Sequence, residues 1–184
     1  LSGCGGGGSS APPTGALNIT IVDGTTANPQ EGIADARVIL LDDEGEPVQT
    51  YVTNDNGVVS QSELPIGDYQ LKISAQGYNS SPPPRVPPLP VKVKPGETTT
   101  ATIELFPIDT NLVVGAISGT VSSGGNPVAG ALIIAMGAGV SYTTISAADG
   151  SYVLYNVVEG NVDVTAYIKG LNFPTLSAVT VTAD

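Results

Sequence analysis

The sequence predicts an all-β protein built as two tandem antiparallel β-sandwiches. Short apolar runs alternate with polar residues at a period of two, and Gly, Asn, Asp and Pro separate the runs. This pattern is typical of half-buried strands joined by tight turns. The same succession of strands and turns occurs twice along the 184 residues. We therefore expect two copies of one β module and essentially no helix.

The second copy shows the pattern most clearly, between residues 117 and 170. In its last strand, apolar residues at 162, 164, 166 and 168 alternate with more polar ones, which places one face inward. Turns are assigned to Gly150, which follows Asp149, and to Gly160, which follows Glu159. Strands are predicted at 117–121, 129–135, 142–146, 151–155, 161–168 and 176–182.

The first copy repeats these signals at a nearly constant spacing. Gly57 corresponds to Gly150 (150 − 57 = 93) and Gly67 to Gly160 (160 − 67 = 93). We assign all four glycines to turns, and expect Gly67 and Gly160 to occupy equivalent positions that favour a positive φ. Strands are predicted at 17–21, 36–40, 48–52, 69–73, 91–94 and 99–106.

The repeat divides the chain into three parts. Residues 1–15 are rich in Gly, Ser and Pro and are expected to be a tether. Residues 16–107 form the first module, with a Pro-rich insertion at 80–90 that is expected to be extended. Residues 112–184 form the second module.

Four segments of the second copy resemble the carboxypeptidase regulatory-like domain, a transthyretin-like β-sandwich. They are Gly-Thr-Val at 119–121, NPVAGA at 126–131, DGSYV at 149–153 and GNVDV at 160–164, where Val162 replaces the family's Tyr. The first copy resembles the same superfamily, and LPIGDYQLKISAQGY at 64–78 is closer to the Cna-B-like pattern. The resemblance implies two Ig-like or transthyretin-like sandwiches without catalytic activity.

The N-terminal residues look like a bacterial lipobox. Cys4 ends the sequence Leu-Ser-Gly-Cys, and a Gly/Ser run follows it. This resemblance implies a diacylated Cys4 as a lipid anchor, and the absence of Asp after Cys4 implies outer-membrane sorting in a diderm bacterium. The alternative is a chance match at the start of a linker. We also expect this segment to make intermolecular contacts, because ordering so Gly-rich a chain requires a partner.

The amino-acid composition argues against several classes of function. The formal net charge is −11 and only 12% of residues are charged, which suits an extracellular β protein. An acidic surface disfavours binding to nucleic acid or to anionic lipid. No apolar run approaches the ~20 residues of a transmembrane helix, so no transmembrane segment is expected.

The residue inventory excludes most catalytic and metal chemistry. The sequence has no His and one Cys, so a Ser-His-Asp triad, a Cys-His pair and most zinc sites are excluded. The acidic residues at 42–46 with Asp55 match no calcium loop and are interpreted as a solvated turn. A Lys–Asn isopeptide crosslink is not expected, because the first strand of each copy lacks Lys. We predict no enzyme activity, no cofactor and no metal.

Two functional hypotheses remain. The first is a non-catalytic extracellular structural protein, a cell-surface fibre or filament subunit that assembles through its termini and sheet edges. Its partners would be further copies or other surface proteins. The second is a lipid-anchored surface module that binds a glycan or a protein. The seven Tyr residues are candidates for sugar stacking, although Tyr69 and Tyr152 occupy motif positions that predict burial.

Overall fold

The computed structural model describes residues 11–26, 30–83, 86–108 and 111–183. These residues form sixteen β-strands and no helix, which confirms the predicted all-β class. Accordingly, the described residues include no helix that is long and apolar enough to cross a membrane. Cys4 lies outside the described residues, and so do two residues of the Pro-rich segment.

The N-terminal half (residues 11–108) contains two sheets that pack face to face. One has the strand order β4-β1-β7 and the other β3-β2-β5-β6. All pairs are antiparallel except β1 with β7, which run parallel from Ala16 opposite Thr98 to Asp23 opposite Leu105. The strands are β1 Thr14–Asp23, β2 Arg37–Leu41, β3 Pro47–Val52, β4 Val58–Pro65, β5 Gly67–Ser74, β6 Leu89–Val93 and β7 Thr98–Leu105.

The C-terminal half (residues 111–183) repeats this plan with fewer strands in one sheet. A two-stranded sheet of β8 and β13 faces a sheet ordered β12-β11-β14-β15, in which β16 also pairs with β14. The strands are β8 Val114–Thr120, β9 Ser122–Ser123, β10 Asn126–Pro127, β11 Leu132–Gly137, β12 Val140–Ile145, β13 Ser151–Val158, β14 Gly160–Ile168, β15 Leu171–Asn172 and β16 Leu176–Val181.

Each half has its own hydrophobic cluster, formed where alternating side chains of the two sheets meet. The N-terminal cluster includes Leu17, Ile19, Ile21, Val38, Leu40, Leu71, Ile73 and Leu105. The C-terminal cluster includes Ile117, Val121, Ile133, Ala135, Tyr152, Leu154, Val162 and Val164. Burial of Tyr69 and Tyr152, each 8% exposed, agrees with their predicted place in the core.

The internal repeat extends to individual hydrogen bonds. The Thr53 hydroxyl accepts from the Ala36 N–H at 2.9 Å and donates to the Ile33 carbonyl at 2.7 Å. The Ser146 hydroxyl accepts from the Ala131 N–H at 2.9 Å and donates to the Val128 carbonyl at 2.7 Å. Both hydroxyls are buried, and each closes an equivalent turn, before β2 in the N-terminal half and before β11 in the C-terminal half.

The four turn glycines differ in backbone conformation. Gly57 and Gly150 have φ values of 74° and 76°, and a Cβ at either position would collide with a backbone carbonyl, that of Ile21 or of Val121. Gly160 has a φ of 133°, and a Cβ there would meet no atom of the described residues within 4 Å. Gly67 is not among the described glycines with a positive φ. Gly67 and Gly160 therefore differ in backbone conformation, although they were expected to be equivalent.

Candidate functional site: the junction of the halves and the open edge of β8

A bulge in β13 directs Asn156 toward the N-terminal half. The register between β13 and β8 shifts between Leu154 and Val157, and Asn156 has a φ of 59°. Asn tolerates this left-handed conformation better than most residues. The corresponding residue of the first sandwich is Glu63 (156 − 63 = 93), whose φ is also 59°. Glu63 is exposed, whereas Asn156 is partly buried at the junction.

The Asn156 amide satisfies the backbone of one turn in the N-terminal half. Its Nδ2 donates to the carbonyls of Ala75 at 3.0 Å and Tyr78 at 2.7 Å. Its Oδ1 accepts from the Gly77 N–H at 2.8 Å. Three hydrogen bonds from one side chain to a neighbouring turn fix both its position and its orientation.

Arg37 makes a second contact across the junction. It is 3% exposed, and its Nη2 donates to the carbonyls of Ser151 at 3.2 Å and Ile145 at 3.4 Å. Its Nε has no hydrogen-bond partner among the described residues. Burial lowers the pKa of Arg37 below its ordinary value. The buried cation therefore depends on carbonyl oxygens from the other half.

Tyr155 completes the junction. Its hydroxyl donates to the Asp35 carbonyl at 2.8 Å. Burial raises the pKa of Tyr155, while the nearby Arg37 acts in the opposite direction. Gly130 also lies against Pro47, beside a cavity of about 150 Å³ between β3 and the loops at 129–130 and 146–148. These contacts bind the two sandwiches into one unit.

The edge of β8 opposite β13 has no partner strand among the described residues. The Val121 N–H donates toward β13, to the Gly150 carbonyl at 2.8 Å. Because N–H groups alternate in direction along a strand, those of Ser118 and Thr120 point to the open edge. The equivalent edge of β1 is occupied, since the Ala16 N–H donates to the Glu97 carbonyl at 2.8 Å just before β7.

A cavity of about 170 Å³ lies beside the end of β8. Its walls include Val121 next to β8, Ile133 and Val164 on the facing sheet, Phe173 before β16 and Leu176 at the start of β16. None of the described residues that line it is charged. Leu176 remains 56% exposed at its rim. An unpaired strand edge and an uncharged, mostly apolar cavity therefore lie side by side.

The remaining candidate residues serve local structure. The Asp42 carboxylate accepts from the N–H groups of Glu44 at 3.0 Å and Glu46 at 2.8 Å, which closes the acidic turn. Within the described ranges, no three His, Cys, Asp or Glu side chains cluster as metal ligands. The hydroxyls of Tyr69 and Tyr78 donate to the Pro65 carbonyl and to Asp23. Tyr167 is 55% exposed.

Sequence reasoning missed Arg37 and Asn156, although both leave a trace. Arg37 is a single cation at the start of an apolar run, Val-Ile-Leu-Leu. Asn156 interrupts an apolar strand between Tyr155 and Val157. A polar residue within a buried strand indicates a bulge or a specific partner, but the sequence does not identify which.

Comparison with known proteins shows that the first sandwich is similar to a known domain family. The family model of the carboxypeptidase regulatory-like domain matches residues 16–106, whereas the motifs that carried the resemblance in the sequence lie mainly in the second copy. Among curated proteins, no sequence match was found.

Several solved structures are similar in part. The minor pilin GBS52 of Streptococcus agalactiae is 25% identical over 53% of this chain and 46% of its own, with a TM-score of 0.45. The major pilin subunit BcpA of Bacillus cereus is 26% identical over 53% and 31%, with a TM-score of 0.39. The shaft pilin spaA of Lactobacillus rhamnosus GG is 11% identical over 91% and 94%, with a TM-score of 0.41.

The chain spans less than two thirds of the length of the first two of these pilins. TM-scores of this size do not establish a common overall arrangement. The family match, in contrast, covers nearly all of the first sandwich. Over residues 16–106, just under half of its length, the chain is therefore similar to the carboxypeptidase regulatory-like domain family.

Proposed function

We propose that this protein is a non-catalytic extracellular structural protein, a subunit of a cell-surface fibre that associates through sheet edges. The observation that carries the proposal is the open edge of β8 beside an apolar cavity. An unpaired edge offers N–H and C=O groups that form new hydrogen bonds when another strand approaches. Two sandwiches, 16–107 and 112–184, are the modules of the subunit.

The edge of β8 lacks the features with which proteins protect exposed strands. Pro and Lys are typical of protected edges. The edge strand β6 carries both, in Pro90 and in Lys92, which forms an ion pair with Asp68 at 2.8 Å. The strand β8 has only small or apolar residues in the sequence VGAISGT. This contrast supports the proposal that β8 pairs with another strand when subunits associate.

The junction supports a force-transmitting role for the subunit. Asn156 and Arg37 both donate hydrogen bonds to backbone carbonyls of the other sandwich. The accepting groups therefore belong to the backbone and not to flexible side chains. A fibre transmits force along its length only if its modules are held together. We propose that the junction provides this rigidity.

In this proposal, a lipid anchor on Cys4 determines where the protein is located in the cell. A diacylated Cys4 followed by a Gly/Ser tether would hold the fibre, or its first subunit, at the outer membrane or cell surface. Mass spectrometry of the native N-terminus tests this part: a lipid-modified Cys4 is expected, and an unmodified Cys4 contradicts the anchor.

Light scattering and negative-stain imaging of the purified chain across a concentration series test the assembly. We expect linear oligomers or filaments. The variant Ser118→Pro removes one N–H from the open edge, and leaves the N–H groups that face β13 in place, so it should block assembly. The matched variant Ser118→Ala keeps that N–H and should assemble as wild type. A monomer at every concentration would contradict the proposal and favour the lipid-anchored binding module.

A further inference from the structure

The junction between the two sandwiches joins two different surfaces. The N-terminal half contributes a receiving surface, defined by Arg37 on β2 and the turn at 75–78. The C-terminal half contributes a docking surface, defined by the hairpin at 145–151 and the bulge at Asn156. Because the sandwiches repeat each other, each half also carries the equivalent of the surface that it does not use at the junction.

The C-terminal half carries an unused receiving surface. Leu132 is the first residue of β11, as Arg37 is of β2, and their spacing is 95 residues (132 − 37 = 95). Arg37 is 3% exposed, whereas Leu132 is 39% exposed. In the next part of this surface, Lys169 takes the position of Gln76 (169 − 76 = 93). Lys169 is exposed and is the only Lys or Arg between residues 111 and 183.

The N-terminal half carries an unused docking surface. The hairpin at 52–58 corresponds to the hairpin at 145–151 (145 − 52 = 93), and Glu63 corresponds to Asn156 with the same φ of 59°. Val52 is 53% exposed, and Glu63 is exposed as well. Both unused surfaces are therefore accessible to solvent while the internal junction is formed.

The charges of the two unused surfaces are complementary. At the internal junction, the Asn156 N–H donates to the side-chain oxygen of Gln76 at 3.4 Å. The same arrangement between the unused surfaces would bring Glu63 to Lys169. Neither of these residues forms an ion pair among the described residues. A carboxylate and an ammonium group thus replace two neutral amides at equivalent positions.

The side chains around Leu132 are matched in the same way. At the junction, the Arg37 guanidinium donates to the carbonyl of Ser151. In the unused docking surface, Val58 takes the position of Ser151 (151 − 58 = 93), and Val52 lies at the other end of the same hairpin. Leu132 would therefore meet apolar side chains, and burial of this apolar surface would favour the contact.

We propose that the chain binds a second copy of itself head to tail, with the docking surface of one N-terminal sandwich on the receiving surface of the other C-terminal sandwich. Val52 and Val58 pack against Leu132. Glu63 forms an ion pair with Lys169. Complementary side chains at both surfaces identify the second copy as the partner.

This contact rests on the proposed fibre subunit and adds a second contact to the pairing at β8. It joins two different surfaces, so each added copy leaves one surface of each kind free. Association of this type forms rings or open filaments and does not stop at a dimer.

Charge reversal in the full chain tests the contact by sedimentation velocity across a concentration series. Glu63→Lys and Lys169→Glu should each weaken self-association by about tenfold or more, because each places like charges together. The two variants mixed in equal amounts should associate as wild type, since contacts between unlike copies again pair a carboxylate with an ammonium group. The double variant should also associate as wild type. Circular dichroism confirms that each variant is folded.

A further variant tests the apolar part of the contact. Leu132→Asp should weaken self-association by about tenfold or more, because the contact would bury a carboxylate without a partner. Val86 is another exposed apolar residue and lies outside both surfaces. Val86→Asp should therefore associate as wild type.

The results distinguish this contact from pairing at β8. Unchanged association of Glu63→Lys, Lys169→Glu and Leu132→Asp would overturn the head-to-tail contact, and so would a mixture that does not recover. If these variants still form filaments that Ser118→Pro abolishes, the head-to-tail contact fails and the proposed fibre stands. Charge-dependent association that persists in Ser118→Pro would support the head-to-tail contact and refute pairing at β8. A monomer at every concentration would contradict both.

Discussion

The two halves of the molecule have the same plan, and one difference between them is the strand position beside β1 and β8. In the N-terminal half, β7 covers the edge of β1 and Leu105 enters the core. In the described part of the C-terminal half, the edge of β8 is open and a cavity of about 170 Å³ remains beside it. Among the described residues, the same plan is therefore complete in the N-terminal half and leaves one strand position uncovered in the C-terminal half.

The largest effect is expected where β7 fills the first core. Leu105→Ala should destabilise the protein by about 2–5 kcal/mol, because it removes buried methyl groups and leaves a cavity. Leu176→Ala, at the exposed rim of the second cavity, should change stability by less than about 0.5 kcal/mol. Urea unfolding of both variants checks the difference. Similar losses for the two would show that the C-terminal cavity is closed in solution.

The turn glycines should separate by the space around them. Gly57→Ala and Gly150→Ala should each cost about 1–3 kcal/mol from the positive φ alone, with an added collision against backbone. Gly160→Ala has room for its Cβ and should cost less, and Gly67→Ala least. Thermal melts rank the four. A larger loss for Gly67→Ala than for Gly57→Ala would contradict the assignment.

The equivalent bulges at Glu63 and Asn156 allow the contribution of the junction to stability to be separated from that of backbone strain. Asn156→Ala should cost about 1–3 kcal/mol, because it leaves backbone groups at 75–78 without their partners. Glu63→Ala places the same residue at the same φ of 59° without such contacts, and therefore controls for backbone strain. The difference between the two unfolding free energies measures the junction. If the two variants lose equal stability, Asn156 does not join the halves.

The smallest expected effect is on stability at low pH. In the second sandwich, hydrogen bonds from Ser151 lower the pKa of Asp149, the bond from the Ser151 side chain contributing most and that from its N–H next. The Ser151 N–H lies 2.9 Å from the Asp149 carboxylate. In the first sandwich, the neutral Asn54 amide oxygen accepts from the N–H groups of Asn56 and Val58.

A lowered carboxyl pKa contributes stability that is present above the unfolded pKa and is lost as pH falls through the folded pKa. Melting temperatures measured between pH 5 and about pH 2 should therefore fall more steeply for wild type than for Asp149→Asn. Asn54→Ala should lower stability at all pH values without changing the slope. If the melting temperature of wild type falls with pH as slowly as that of Asp149→Asn, Asp149 does not contribute to the pH dependence of stability.

Much of the fold was predictable, because local patterns determine it. Alternation identified β1 and β14, and tight turns were found at Gly57 and Gly150. The predicted strand at 129–135 begins only at Leu132, because Gly130 has a φ of 72° and belongs to the preceding turn. Gly67 and Gly160 share a motif but differ in φ, since the turn geometry depends on the strands that each residue joins.

The candidate site was not predictable, because it depends on which distant segments meet. A strand at 99–106 was expected, yet its sequence does not reveal that it lies parallel to β1 rather than at another edge. Arg37 and Asn156 stood out in their strands, but their partners are more than 70 residues away. Contacts at that range follow from topology, which single-strand patterns do not encode.

Residue-resolved amide hydrogen exchange tests the central claim, that the edge of β8 is open in the monomer and filled in the assembly. In dilute monomer, the amides of Ser118 and Thr120 should exchange freely, while that of Gly119, which faces β13, is protected. In filaments, Ser118 and Thr120 should become protected and Gly119 should stay so. Protection of Ser118 and Thr120 in the monomer, or free exchange of both in the assembly, would contradict the account.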